Sequence, residues 1–151
     1  MPELLAERIE SVRAGLWGAI ALASTEGVAI GVQGNLARQG ITPLFPTENL
    51  IVAIAVALGS GFLFGIAYRY IVRAETNPHL RQGAVWAFSG VRLGALLEAH
   101  PQWLMQPELR LMAIAAGLKT VVVFGIGSLV LDIALRQGWL KPLQAANQPV
   151  E

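Results

Sequence analysis

Three charged residues stand inside stretches that are otherwise apolar. Glu26, Arg92 and Lys119 each interrupt a run of aliphatic residues, glycine and alanine. One carboxylate and two cations in such surroundings could bind an anion, relay a proton or form a buried ion pair. A bare charge at the centre of a bilayer costs at least ~2.5 kcal/mol, so we expect Glu26 to pair with Lys119 or with Arg92. An ion pair that fixes the packing of helices is the favoured interpretation, and transport is the alternative.

The other residue types give no enzymatic motif. The chain has no cysteine, and His79 and His100 lie outside the apolar stretches with no metal ligand at a useful spacing. We therefore predict a protein that is not an enzyme, with no catalytic residue, no metal site and no cofactor. No motif supports binding of chlorophyll or carotenoid. Both histidines are interpreted as surface residues, and the alternative for His100 is a chlorophyll or haem ligand if the outer loop folds back.

The composition places these residues in a membrane. Apolar residues make up 54% of the chain, charged residues only 14%, and the mean hydropathy is +0.55. A soluble domain typically carries about 25% charged residues. The net charge of +1 comes without a clustered basic patch, which argues against nucleic acid as a partner. We therefore expect Glu26, Arg92 and Lys119 to lie in a protein embedded in a lipid bilayer, which is its expected partner.

Four apolar stretches predict the elements that position the charges. They cover approximately residues 11–33, 49–72, 83–100 and 110–135. The clearest part, Asn49–Tyr68, has 20 residues without a charge, enough to cross about 30 Å as a helix. The first and third stretches are weaker, and each could instead lie in the membrane interface. We predict an all-α fold, an integral membrane four-helix bundle over residues 1–141, followed by a disordered tail over 142–151.

The second and fourth stretches resemble each other. At a shift of 60 residues, Glu48 aligns with Glu108, and six apolar identities and one glycine follow without a gap. Among them, Phe64-Gly65-Ile66 aligns with Phe124-Gly125-Ile126. The preceding stretches match in part. This pattern predicts two tandem helical hairpins, and because each hairpin crosses twice, both would insert in the same orientation.

The basic residues predict the orientation. Four crossings put both termini and the central loop on one side, and two loops on the other. The first side holds Arg8, Arg13, Arg69, Arg73, Arg81, Arg136 and Lys141, and the second holds Arg38 and Arg110. Cytoplasmic loops carry an excess of Lys and Arg. We therefore expect both termini in the cytoplasm or stroma.

Glycines recur at a spacing of four along the predicted helices. The pairs are Gly27 and Gly31, Gly61 and Gly65, and Gly90 and Gly94. This spacing lets the backbones of two membrane helices approach closely. Packing within one bundle is the favoured interpretation, and an interface for another membrane subunit is the alternative.

One segment resembles a known family. Tyr68-Arg69-Tyr70-Ile71-Val72-Arg73 and Asn77-Pro78-x-Leu80-Arg81-x-Gly83-Ala84-Val85-x-Ala87-Phe88 look like an uncharacterised family of multi-pass membrane proteins in cyanobacteria and plastids. The resemblance covers about 20 residues and implies a thylakoid or plasma membrane, with no activity to carry over. The expected function is a non-catalytic scaffold, accessory or assembly factor for a larger membrane complex, which could be a photosynthetic one. Its partners would be other membrane subunits or further copies of this chain. The alternative is a small carrier or channel for protons or anions that uses the charged residues.

Overall fold

The computed structural model describes residues 2–41, 49–72 and 78–141, and these residues are helical almost throughout. The helices are α1 (Pro2–Arg38), α2 (Leu50–Ile71), α3 (Pro78–Ala99), α4 (Gln102–Met105) and α5 (Arg110–Arg136), with a 3-10 turn at Pro107–Leu109 before α5. No strand occurs in the described residues. The predicted tail and Glu48, one end of the predicted repeat, lie outside them.

Helix α1 is longer than its apolar stretch predicts. It has 37 residues, or about 55 Å, whereas the hydrocarbon core of a bilayer is about 30 Å thick. Its first turns contain Glu7, Arg8 and Glu10, which are good helix formers, so the helix begins well before the apolar residues. It ends at Arg38, and Gly40, two residues later, has a φ of 79°, the left-handed conformation that commonly terminates a helix.

The other long helices have local start and stop signals. The Asn49 side chain caps α2 by accepting a hydrogen bond of 3.0 Å from the backbone N–H of Ile51. Pro78 is the first residue of α3, a position where proline costs no hydrogen bond, and Pro101 follows its end. Gly138, with φ 73°, ends the turn after α5.

Three of the helices are long and apolar enough to cross a membrane, in the segments Leu5–Arg38, Leu50–Ile71 and Pro107–Arg136. Helix α3 is not one of them. The three helices carry large aliphatic side chains that are more than half exposed, including Ile51, Leu63 and Leu129. Lipid would cover this surface, and the arrangement is consistent with an integral membrane protein.

The most extensive contact between helices is the pair of α1 with α2. Helix α5 forms a second pair with α3, and it contacts α1 to a similar extent. Four aromatic rings join the pairs at the centre, where Phe64 packs edge-on against Phe88 and Phe124 and lies beside Tyr68. The pairing of α1 with α2 and of α3 with α5 is the one that two hairpins would give, and their repetition stays a prediction.

Candidate functional site

The structure brings the three predicted charged residues together, with the carboxylate of Glu26 between the two cations. Glu26 of α1 is fully buried, and its two oxygens contact different cations. Lys119 Nζ of α5 donates a hydrogen bond to Oε1, and Arg92 Nη2 of α3 lies 3.4 Å from Oε2. Both of the alternative ion pairs that the sequence predicts are therefore present at once.

Ser60 of α2 completes this charged site. Its Oγ lies 3.3 Å from Arg92 Nη1, and it donates its own proton to the carbonyl of Val56 at 2.7 Å. The site thus contains one side chain from each of the four long helices. The sequence analysis missed Ser60, which lies between two glycines and gives no charge signal of its own.

The charged site holds helices together. Both oxygens of Glu26 are engaged, and the side chains of Arg92 and Lys119 are only 12% and 15% exposed. Removing one member of a buried ion pair typically costs 3–5 kcal/mol, because it leaves the remaining charge uncompensated. This arrangement fixes α1 against α3 and α5 at a defined register. Its two cations share one carboxylate.

A second polar network lies at the end of α2, and the sequence analysis missed it. Arg69 is 3% exposed. Its guanidinium donates to Ser11 Oγ at 2.6 Å, to the carbonyl of Glu7 at 3.2 Å and to the carbonyl of Lys141 at 3.0 Å. The arginine therefore ties the first turns of α1 to the segment that follows α5. The sequence predicts for Arg69 only a place among the basic residues on the side of both termini.

Asp132 forms a third polar contact between α5 and its neighbours. Its carboxylate accepts hydrogen bonds from Tyr68 OH at 2.9 Å and from Arg81 Nη1 at 3.1 Å. The Arg81 and Asp132 side chains are 30% and 20% exposed, so this ion pair reaches the surface. The pairing joins residues more than 50 positions apart in the chain, which no local pattern indicates.

The glycines with a spacing of four divide into two groups. Gly61 and Gly65 of α2 press directly on the backbone of α1 at Gly18 and Ala14. A Cβ at Gly27 would make ordinary contact with Ile54, whereas one at Gly31, Gly90 or Gly94 would meet nothing within 4 Å. Close backbone packing, predicted for all six glycines, is therefore seen at Gly61 and Gly65 and not at the other four.

The described residues contain no group of three side chains able to hold a metal ion. His79 is exposed at the start of α3. His100 follows α3 directly, and its ring stacks on Trp103 with the centroids 4.5 Å apart. This contact joins His100 to α4.

Comparison of the chain with protein-family models, with curated proteins and with solved structures finds no match. The geometry of the described residues therefore carries the functional argument alone.

Proposed function

We propose that this chain is a non-catalytic membrane scaffold, an accessory or assembly factor that binds helices of a larger membrane complex. The observation that carries the proposal is an open face on α3. Gly83 and Gly94 lie on it with Ala87 between them, all three are exposed, and neither glycine has a neighbour for an added Cβ within 4 Å. Gly90 lies at its border. We call this surface the small-residue face of α3.

The character of α3 as a whole supports a protein neighbour on this face. The helix has 22 residues, or about 33 Å, yet it is not among the helices apolar enough to cross a membrane. Its opposite side packs on α5. Membrane helices associate through van der Waals contact and close backbone approach, and a small-residue face permits both. A partner helix with small residues of its own would fit here.

Site-specific crosslinking tests the proposal. A photo-crosslinking residue at Ala87, on the small-residue face, should give a defined adduct in native membranes, whereas one at Leu63, exposed on α2, should give none. Gly94→Leu should abolish the adduct. Gly34→Leu is the matched control, since Gly34 is also open and exposed but lies on α1. A chain that runs alone in mild detergent and forms no adduct from Ala87 would remove the proposal.

We also infer that α3 crosses the membrane as the other long helices do, which places both termini in the cytoplasm or stroma of a plasma or thylakoid membrane. Seven basic residues on the terminal side against two on the other support this orientation. The contacts of the terminal segments support it too. Trp139 stacks on Trp17 with centroids 5.5 Å apart, and the backbone N–H of Lys141 donates to Glu10 at 3.3 Å.

The absence of cysteine from the sequence makes this topology easy to test. Single cysteines at Arg8 and Gln137 should react with an impermeant maleimide only from the cytoplasmic side. Cysteines at Gln39 and Gln102 should react only from the opposite side. If α3 lies in the interface instead of crossing, Gln102 will react from the same side as Arg8. Fractionation of the cell membranes identifies which membrane holds the chain.

A small carrier for protons or anions is the second candidate. The charge balance of the site favours it, because Arg92 and Lys119 share the single carboxylate of Glu26 and a small anion could balance the second cation. Purified chain in liposomes should then show a proton or anion flux that Lys119→Ala abolishes while the helical circular dichroism is retained. Liposomes that show no flux for protons or common anions would eliminate this candidate.

A further inference from the structure

A cluster of charged and aromatic side chains joins the first turns of α1 to the segment that follows α5. Glu10 lies at its centre. Glu10 Oε1 accepts a hydrogen bond of 2.7 Å from Arg13 Nη1, and Oε2 accepts one of 3.3 Å from the backbone N–H of Lys141. Residues from opposite ends of the described chain therefore lie beside the same carboxylate. We call Glu10, Arg13, Trp17, Trp139 and Lys141 the terminal cluster.

The terminal cluster has an excess of positive charge. Arg69 donates to the Lys141 carbonyl at 3.0 Å, so three cations surround the carboxylate of Glu10 and these four charges sum to +2. The sum stays positive when Glu7, whose backbone carbonyl also accepts from Arg69, is counted with them. The Arg13 side chain is 51% exposed, and Lys141 is exposed as well. The bond to Glu10 uses one of the five N–H donors of the Arg13 guanidinium, so the cluster can receive a further acceptor.

A pair of tryptophans lies beside these cations. Trp139 stacks on Trp17 with the ring centroids 5.5 Å apart, and Trp139 is 48% exposed. Trp17 comes one turn after Arg13, and the side chains of a helix lean toward its N-terminus, so its indole leans toward the arginine. Trp139 follows the apolar span that ends at Arg136. Tryptophan is enriched at membrane–water interfaces, because its ring is apolar and its N–H is polar. The pair therefore marks the level of the lipid headgroups.

Exposed cations beside an exposed indole fit a lipid whose headgroup is negative. Phosphate oxygens accept hydrogen bonds from guanidinium and ammonium groups, and an acyl chain packs against an apolar ring. A zwitterionic headgroup carries a cation of its own, which the positive charge of the terminal cluster repels. We propose that the terminal cluster binds an anionic phospholipid, with the phosphate between Arg13 and Lys141 and the upper part of an acyl chain on Trp139. This site lies apart from the small-residue face of α3 and does not depend on the scaffold role.

Native mass spectrometry of the full chain in mild detergent, with equal amounts of phosphatidylglycerol and phosphatidylcholine, tests the site. We expect the chain to retain phosphatidylglycerol in preference, and Arg13→Gln and Lys141→Gln each to lower that preference about fivefold. Lys141→Gln keeps the contacts that hold its segment, because the backbone N–H and carbonyl make them. Arg8→Gln should keep the preference. Arg8 is also exposed near the start of α1, but it lies five residues before Arg13 and thus about 140° around the helix.

A second pair of variants tests the aromatic contact. Trp139→Ala should lower the retention of phosphatidylglycerol, whereas Trp86→Ala, which removes an indole that is 63% exposed on α3, should not. Circular dichroism checks that each variant keeps its helices.

Equal retention of the two lipids by the parent would overturn the proposal. So would equal losses in Arg8→Gln and Arg13→Gln, which would show attraction by the overall charge alone. Displacement of the lipid by a large excess of inorganic phosphate would overturn it as well, because the site would then bind a free anion. Unchanged retention in Trp139→Ala would contradict the placement of the acyl chain.

Discussion

The α1–α2 contact and the outer face of α3 carry the same glycine spacing, with different outcomes. Gly61 and Gly65 of α2 are covered by the backbone of α1, whereas Gly90 and Gly94 of α3 face open space. Lipid offers no hydrophobic drive for helix association, so close backbone approach is what the glycines provide. The comparison shows that the spacing alone does not determine packing, because the rest of the fold decides whether another helix of the chain covers the glycines.

The covered glycines should tolerate no side chain. A Cβ at Gly61 would lie 2.5 Å from the Gly18 carbonyl oxygen and 2.9 Å from Ala19 Cα. Because both neighbours are backbone, Gly61→Leu should destabilise the fold by more than about 3 kcal/mol, at or beyond the upper end of overpacking effects. Unfolding in mixed detergent, followed by circular dichroism, measures this. Gly94→Leu is the matched change on the open face and should stay within about 0.5 kcal/mol. Equal losses in the two variants would contradict the comparison.

The charged site joins the tightly packed α1–α2 pair to the α3–α5 pair. Glu26→Gln leaves Arg92 and Lys119 without their shared carboxylate, so we expect a loss of about 3 kcal/mol. The same detergent unfolding measures it. Glu98→Gln changes an exposed carboxylate on α3 and should have little effect. If Glu26→Gln is as stable as the parent, the site does not hold the pairs together and the carrier hypothesis gains weight.

The polar networks of the two pairs should differ in strength. Arg69 is buried and makes three hydrogen bonds from the α1–α2 pair, so Arg69→Gln should cost about 2 kcal/mol. The ion pair of Arg81 with Asp132 is partly exposed, and solvent screens its attraction. Arg81→Gln should therefore lower the stability by about 1 kcal/mol or less. A larger loss for Arg81→Gln would reverse this ranking of the two pairs.

A glycine-to-alanine change is the smallest test of the comparison. We expect it to change the stability in opposite directions at an open and at a covered glycine. Gly94→Ala adds a methyl group to open space and should stabilise the helix by about 0.5 kcal/mol. Gly65→Ala adds the same group against the Ala14 carbonyl and should destabilise it. The pair can be measured by the midpoint of thermal unfolding in detergent. Shifts of the same sign would show that the α1–α2 contact relaxes more easily than its geometry implies.

The sequence indicates the long helices and the charges that must pair. Stretches that are apolar over about 20 residues predict helices in a membrane, and the cost of an isolated charge there predicts partners for Glu26. Both are local properties, because hydropathy and desolvation depend on a residue and its immediate environment. Hydropathy does not predict the full length of α1, because its first turns are polar and still form a helix.

Only the tertiary structure decides which contacts are made. It buries Arg69 under the segment that follows α5, pairs Asp132 with Tyr68 and Arg81, and covers one glycine pair while it leaves another open. These contacts join residues from different helices, and their geometry depends on how the helices cross and rotate. Local sequence determines that a helix forms, whereas the packing of all the helices together determines what each of its faces meets.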